Sequence, residues 1–171
     1  MTELRTDRLI LRRARPDDLE AMHVVLSDDR AMRYWTTGPH ADLAETERWL
    51  QSMIQSPYEL SDDFVVTLDG EAIGKMGAWR LPEFGFILRS DHWGRGYASE
   101  ALRAFLDYMF RTRQVAFLTA DTDPRNAIAL RLLASHGYVE TGRATGTWTT
   151  HIGVCDSVYL RLDRESWLSA G

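Results

Sequence analysis

Asp91-His92-Trp93-Gly94-Arg95-Gly96-Tyr97-Ala98-Ser99-Glu100 joins two segments of different hydrophobic period, and its reading decides the fold. Before it, Phe84-Gly85-Phe86-Ile87-Leu88 is a short, mostly apolar run with strand character. After it, Ala98, Leu102, Phe105 and Met109 recur at steps of four, three and four, the core stripe of a helix. Ser99, Arg103, Asp107 and Arg111 fall on the opposite, solvated side. Two glycines and an arginine therefore occupy a strand-to-helix turn. Free N–H groups and the positive end of a helix dipole at such a turn can hold a phosphate. Glycine there lets the main chain approach a ligand with no Cβ in the way. The same pattern also serves a turn that merely needs positive φ, so by itself it leaves both readings open. Gly94-Arg95-Gly96 lacks the third glycine of a dinucleotide fingerprint, and no lysine follows to complete a P-loop.

On the C-terminal side, Val115 to Ala120 reads as a compact buried strand. Asp123-Pro124 then predicts a helix start, with aspartate as N-cap and proline in the first turn. That helix runs through Ile128, Leu132 and Leu133 and stops at His136-Gly137. Strands follow at Tyr138–Thr141 and Asp156–Leu162, with a loop over Thr145–Gly153 that carries Trp148 and His151. On the N-terminal side, Asp69-Gly70 between two β-rich runs, Phe64–Leu68 and Glu71–Trp79, predicts a hairpin. With Glu83–Leu88 these make three antiparallel strands. Leu9-Ile10-Leu11 reads as a first strand, and Pro16-Asp17-Asp18 opens a helix with Leu19, Met22 and Leu26 as its stripe. A second helix spans about 42–54, with Leu43, Leu50, Met53 and Ile54 inward. Between the two helices, Tyr34 and Trp35 sit in an aromatic loop closed by Gly38-Pro39, where they either line a substrate mouth or pack on the helices. The order of elements predicts one α+β domain over 1–171, a mixed sheet with helices against its faces.

The 171 residues are 44% hydrophobic and 26% charged, ordinary for a soluble globular domain with a sizeable core. A net charge of −5 argues against a nucleic-acid partner and is compatible with a cationic substrate. Cys155 is the sole cysteine, which excludes an internal disulfide and a cysteine-rich metal site, and its strand-like surroundings favour a core role. His23, His40, His92, His136 and His151 show no ligand spacing, so no metal is expected. The first residues lack an apolar signal region and no stretch is long enough to cross a bilayer, so no membrane partner and a reducing, cytoplasmic setting are expected.

Taken in register, these segments resemble the GNAT-superfamily N-acetyltransferases, in the RimJ/RimL-like branch of ribosomal-protein N-terminal acetyltransferases. Thr6-Asp7-Arg8-Leu9-Ile10-Leu11-Arg12 is similar to that branch's opening strand, and Met32-Arg33-Tyr34-Trp35 to its turn after the first helices. Glu83-Phe84-Gly85-Phe86-Ile87-Leu88 resembles its "E-I-G-Y-x-L" strand. Trp93 to Ala101 matches its "W-G-K-G-Y-A-T-E-A" acyl-CoA motif, and Asn126 and Gly137-Tyr138 fall on its "N" and "G-F".

The resemblance implies a mostly antiparallel twisted sheet whose central strands splay apart, and acetyl-CoA as cosubstrate. The pantetheine arm would lie along Ile87 and Leu88. The pyrophosphate would sit on the N–H groups of Arg95, Gly96, Tyr97, Ala98 and Ser99, in the motif begun by Trp93 and Gly94. Arg95 either adds charge near a phosphate or is a solvated surface residue. Asn126 would reach the pantetheine or a bound water. An ammonium cannot attack a thioester, so a base must act first. Glu83 and Asn126 are the catalytic candidates, Glu83 as that base. Tyr34, Trp35, His92, Trp148 and His151 are candidates for the acceptor pocket. Leu133 and Ala129 occupy positions where many members carry a tyrosine acid and a serine, so no general acid is implied. The implied activity is transfer of acetyl to a primary amine, with a protein N-terminal α-amine favoured. Polyamine, antibiotic or aminoacyl-conjugate acetylation and a non-catalytic acyl-CoA-binding module are the alternatives. Members of the family often form homodimers.

Overall fold

The computed structural model describes residues 2–171, in which eight strands form one sheet. Strands β1 (Glu3–Arg5) and β2 (Leu9–Arg12) lead through a 3-10 turn at Pro16–Asp18 into helices α1 (Leu19–Leu26) and α2 (Leu43–Gln55). The hairpin β3 (Asp62–Leu68) and β4 (Glu71–Arg80) and strand β5 (Glu83–Leu88) precede helix α3 (Tyr97–Asp107), which ends in a π turn at Tyr108–Thr112. Strand β6 (Phe117–Thr122), helix α4 (Ala127–Ser135), the long hairpin β7 (Val139–Thr150) and β8 (Gly153–Asp163), and helix α5 (Arg164–Ala170) complete the chain. The spatial order is β1-β2-β3-β4-β5-β6-β8-β7. Every neighbouring pair is antiparallel except β5 and β6. This is the α+β architecture expected from the sequence.

The parallel pair places the site. Its register holds at Glu83↔Thr119, supported by the Thr119 N–H donating to the Pro82 carbonyl at 2.9 Å. Beyond that point the strands part, so the edge of β5 from Phe84 onward faces a gap. Alternation along β5 sends Phe84 and Leu88 into one core cluster with Leu102, Phe105, Leu106 and Leu133. Ile87 enters a second cluster, on the other face, with Met22, Val25 and Leu26 of α1.

Several expectations are corrected. Asp123 does not cap α4. Its carboxylate closes the preceding turn, accepting from the Arg125 N–H at 2.8 Å and from the Arg125 side chain. Asn126 is the N-cap instead, its side chain accepting from the Ala129 N–H at 3.3 Å. The segment read as a loop over 145–153 is mostly strand, because β7 runs to Thr150 and pairs with β8 as far as Gly153. Gly142 and Gly146 lie at two register shifts within the ladder, while the threonines between and after them keep strand character. Strand β6 begins at Phe117 rather than Val115, and it alternates rather than being buried throughout. Leu43 is exposed in the first turn of α2, before that helix meets α1. The polar strand β1 and the helix α5 carry too little apolar periodicity to be read beforehand.

Tyr138 is buried among Phe84 and its neighbours, and its hydroxyl has no hydrogen-bond partner among the described residues. That burial pushes its ionisation far above the usual phenol range. An unsatisfied buried hydroxyl costs about 1–3 kcal/mol. Tyr138→Phe is therefore expected to raise stability by about 1 kcal/mol, read as a higher urea midpoint at unchanged slope. A lower midpoint would show that the hydroxyl is satisfied in solution.

Candidate active site

The gap between β5 and β6 opens into a cavity of about 770 Å³, a size suited to a cofactor-scale ligand. At one end, Gly94 and Gly96 take φ of 73° and 81°, a left-handed turn that glycine adopts without strain. Helix α3 starts directly after it, and its N-cap Gly96 offers no side chain to bond the first turn. The helical ladder begins with the Glu100 N–H donating to the Gly96 carbonyl. The N–H groups of Tyr97, Ala98 and Ser99 are thus the orphan donors of the helix end, and all three residues line the cavity. An anionic group such as a pyrophosphate fits this arrangement of donors and dipole.

The turn is braced from outside by Arg8. Its guanidinium donates to the Arg95 carbonyl at 2.9 Å and to Glu100 at 2.7 Å, and it stacks 4.5 Å from the Tyr97 ring centre. Burial pushes the Glu100 carboxyl up, but hydrogen bonds from Thr6 and Arg8 outweigh it and hold the group below its usual range. Arg95 itself is exposed and does not line the cavity; its contribution is the carbonyl that Arg8 grips. Trp93 lines the cavity and donates its indole N–H to the Leu88 carbonyl at 2.8 Å, tying the turn to the end of β5. Arg30 lies over the Trp93 ring at 5.1 Å. Ile87, Leu88, Gly94, Gly96 and Asn126 also line the cavity, as do the apolar Ala129 and Leu133.

The other end is built on the α1/α2 face of the sheet. Trp35 lies against Gly85, where an added Cβ would come within 3.3 Å of the ring, so the absent side chain makes room for the indole. Lys75, buried and paired with Asp63 at 2.9 Å, sits 5.5 Å from the Trp35 ring centre. Tyr34 lines the same mouth between the guanidinium groups of Arg33 and Arg125. His151, at the β7–β8 tip, lines the cavity and packs against Gly38, so the hairpin bridges to the α1–α2 loop. His92 lines it near the glycine turn and bonds Asp91 at 2.7 Å. Trp148 stands just outside the lining residues, but its indole N–H donates at 2.9 Å to Asp121, which is one of them. Glu83, the expected base, is the first residue of β5. It is exposed at the joined end of the β5–β6 pair and does not line the cavity. Among the described residues no cluster of three or more potential metal ligands occurs, and no helix is long and apolar enough to cross a membrane.

Residues 8–139 match the family model of the acetyltransferase (GNAT) domain. The chain belongs to this family. Among curated relatives, the N-acetyltransferase p20 of Bacillus licheniformis is 28% identical over 155 residues, covering 83% of this chain and 85% of its own. Among solved structures, the spermidine N-acetyltransferase of Vibrio cholerae with CoA and spermine superposes with a TM-score of 0.82. It shows 22% identity and covers 95% of this chain and 99% of that one. The ribosomal-protein-S5-alanine acetyltransferase of Vibrio fischeri gives a TM-score of 0.81 at 20% identity, covering 98% of this chain and 99% of its own. These likenesses confirm the GNAT fold, and the family match makes the chain an N-acetyltransferase.

Within this GNAT domain, three site-forming residues escaped sequence reasoning: Arg8, Asp28 and Asp121. Asp28 anchors the aromatic loop. One carboxylate oxygen accepts from the Arg30 and Ala31 N–H groups, and the other from the Ser90 N–H at 2.8 Å, linking the loop to the turn after β5. Partial burial pushes its pKa up, but the bonds from Ser90, Ala31 and Arg30 prevail and hold it below the ordinary 3.8. A depressed carboxyl stabilises the fold above its unfolded pKa and loses that contribution as acid carries the pH through the folded value. Asp28→Asn is therefore expected to be less stable than wild type at pH 5–7. The gap should close below pH about 4, as measured by urea melts across that range.

Proposed function

We propose that this protein transfers the acetyl group of acetyl-CoA to a primary amine. The observation that carries the reading is the uncapped first turn of α3 beside the open edge of β5, in one cavity with an aromatic mouth at its other end. The N–H groups of Tyr97, Ala98 and Ser99 hold the pyrophosphate, the gap along Ile87 and Leu88 takes the pantetheine arm, and Asn126 borders it. Acetyl-CoA supplies an activated thioester at that place. The chain's own part is to hold the two substrates together, exclude water and manage the amine's protons.

A protein N-terminal α-amine is the first acceptor we assign, on the RimJ/RimL-like order of motifs from Thr6–Arg12 to Gly137-Tyr138. Polyamine-type small amines are the second reading, supported by the spermidine N(1)-acetyltransferase of Escherichia coli, 27% identical over 138 residues. CoA release is measured with acetyl-CoA and two acceptor pools, short peptides with free N-termini and a set of polyamines and other small amines, against a no-acceptor control. Turnover with peptides alone supports the first reading, and turnover with small amines alone supports the second. Acetyl-CoA binding without CoA release in either pool would make the protein an acyl-CoA-binding module.

A further inference from the structure

We propose that Asp121, aimed by Trp148, receives the ammonium group of the acceptor and takes its proton; this assignment rests on the acetyl-transfer reading above. Asp121 lies on β6, the strand that parts from β5. In a parallel pair, partnered residues project to the same face, so Glu83 and Thr119 share a face. Counting by twos from each, Gly85 and Asp121 lie on that face too, where Trp35 covers Gly85. Ala120, Asp121 and Thr122 all border the cavity, but Ala120 and Thr122 alternate to the opposite face and are buried, while Asp121 is exposed.

The carboxylate is held by one oxygen only. Trp148 donates its indole N–H to Oδ2 at 2.9 Å, and Oδ1 has no hydrogen-bond partner among the described residues. That leaves one acceptor-only oxygen free to meet an incoming donor. Of the other acids lining the cavity, Asp123 is already occupied by both arms of the Arg125 guanidinium at 2.9 and 2.7 Å. Asp29 stands on the α1–α2 loop rather than on a strand of the gap. Asp121 is thus the carboxylate at the parting strands that no guanidinium neutralises. A primary ammonium is the ligand chemistry that matches a carboxylate with no cationic partner.

The proton balance is complete with groups already named. The acceptor R–NH3+ gives one proton to Asp121 and becomes R–NH2. Its nitrogen forms a bond to the acetyl carbonyl carbon, and the C–S bond breaks with its electron pair going to sulfur. The second amine proton neutralises the thiolate, and Asp121 returns its proton to solvent. Trp148 acts as a positioning residue, fixing which oxygen is free.

The test uses the full chain with its best acceptor from the two pools. Asp121→Asn is expected to lower kcat/KM by about 100-fold or more, with acetyl-CoA affinity by calorimetry within about twofold of wild type. The acid limb of the wild-type pH profile of kcat/KM should disappear. The other titratable groups lining the cavity, Asp29, Arg30, Arg33, Tyr34, His92, Tyr97, His151 and Asp123 with its partner Arg125, are unaltered in the variant. Trp148→Phe is expected to lower kcat about tenfold with unchanged acetyl-CoA affinity and an unchanged melting temperature. An Asp121→Asn enzyme that keeps wild-type turnover and the same acid limb overturns the assignment alone. A wild-type protein that releases no CoA with any amine overturns the acetyl-transfer reading and this assignment with it.

Discussion

Replacing Asp62 with alanine is expected to cost about 3–5 kcal/mol of folding stability, the scale seen when one partner of a buried ion pair is removed. Asp62 is 1% exposed at the first position of β3. It accepts from Arg13 at 2.8 Å and from Arg113 at 2.6 Å, and the Tyr108 hydroxyl lies at 3.3 Å. Arg13 follows β2, and Tyr108 and Arg113 belong to the π turn and its end, so one carboxylate joins the N-terminal strands to the far end of α3. Without it, Arg13 keeps its charge between the rings of Tyr58 and Phe64 and loses its only carboxylate among the described residues. Arg113, about a third exposed, can turn to water. Arg113→Met should therefore be clearly milder than Asp62→Ala. Domains of this kind hold about 5–15 kcal/mol in total, and 1 kcal/mol moves Tm by about 2–4 °C at this size. Asp62→Ala should melt at least about 6 °C below wild type. An unchanged Tm would mean that the two guanidinium groups find new partners, and that the buried pair contributes little.

Local chemistry made much of the fold legible. Asp69 and Gly70 both take positive φ, 50° and 87°, as the hairpin signal required. The α3 stripe is buried at Leu102, Phe105 and Met109, and Gly137 ends α4 at a φ of 92°. The parts that were not legible depend on which of two adequate residues wins, or on pairs far apart in sequence. Asp123 and Asn126 are both good caps, and the Arg125 side chain decided between them by occupying Asp123. Gly142 and Gly146 look like loop residues, yet the ladder absorbs them as register shifts. Arg8 meets the Arg95 carbonyl from 87 residues away, and Trp148 meets Asp121 from 27. No window of local periodicity contains both members of either pair. Glu83 shows the same limit: it starts β5 as read, but that it falls where β5 and β6 still touch is set by its pairing with the distant Thr119. Within the site, the left-handed glycine turn and the uncapped start of α3 were readable because local sequence sets them. The opposite end of the cavity was readable only as a set of aromatic candidates.

Gly96→Val is expected to weaken acetyl-CoA binding by about 100-fold or more while α3 stays folded. At a φ of 81°, a β-branched residue is strained by about 1–3 kcal/mol, and its Cβ would come within 3.3 Å of the Arg8 guanidinium. The strain is relieved by rotating the peptide out of the left-handed region. That rotation moves the Gly96 carbonyl, which starts the helical ladder at Glu100, and with it the direction of the Tyr97, Ala98 and Ser99 N–H groups. It also drives Arg8 off the Arg95 carbonyl, the external brace of the turn. The helix itself survives, because Ala101, Leu102, Phe105 and Leu106 remain packed in the main core, well inside the disturbed first turn. Stability should therefore fall by about 1–3 kcal/mol with the fold retained, while a 100-fold loss of affinity corresponds to about 2.8 kcal/mol of binding. Gly94→Ala separates strain from crowding: its φ is 73°, but a Cβ there meets no atom within 4 Å. It should weaken binding about tenfold, through strain alone. Calorimetric titration with acetyl-CoA, beside a urea melt of each variant, reads both quantities. Wild-type affinity in a folded Gly96→Val protein would place the anionic end of acetyl-CoA away from α3, and would separate this turn from the activity.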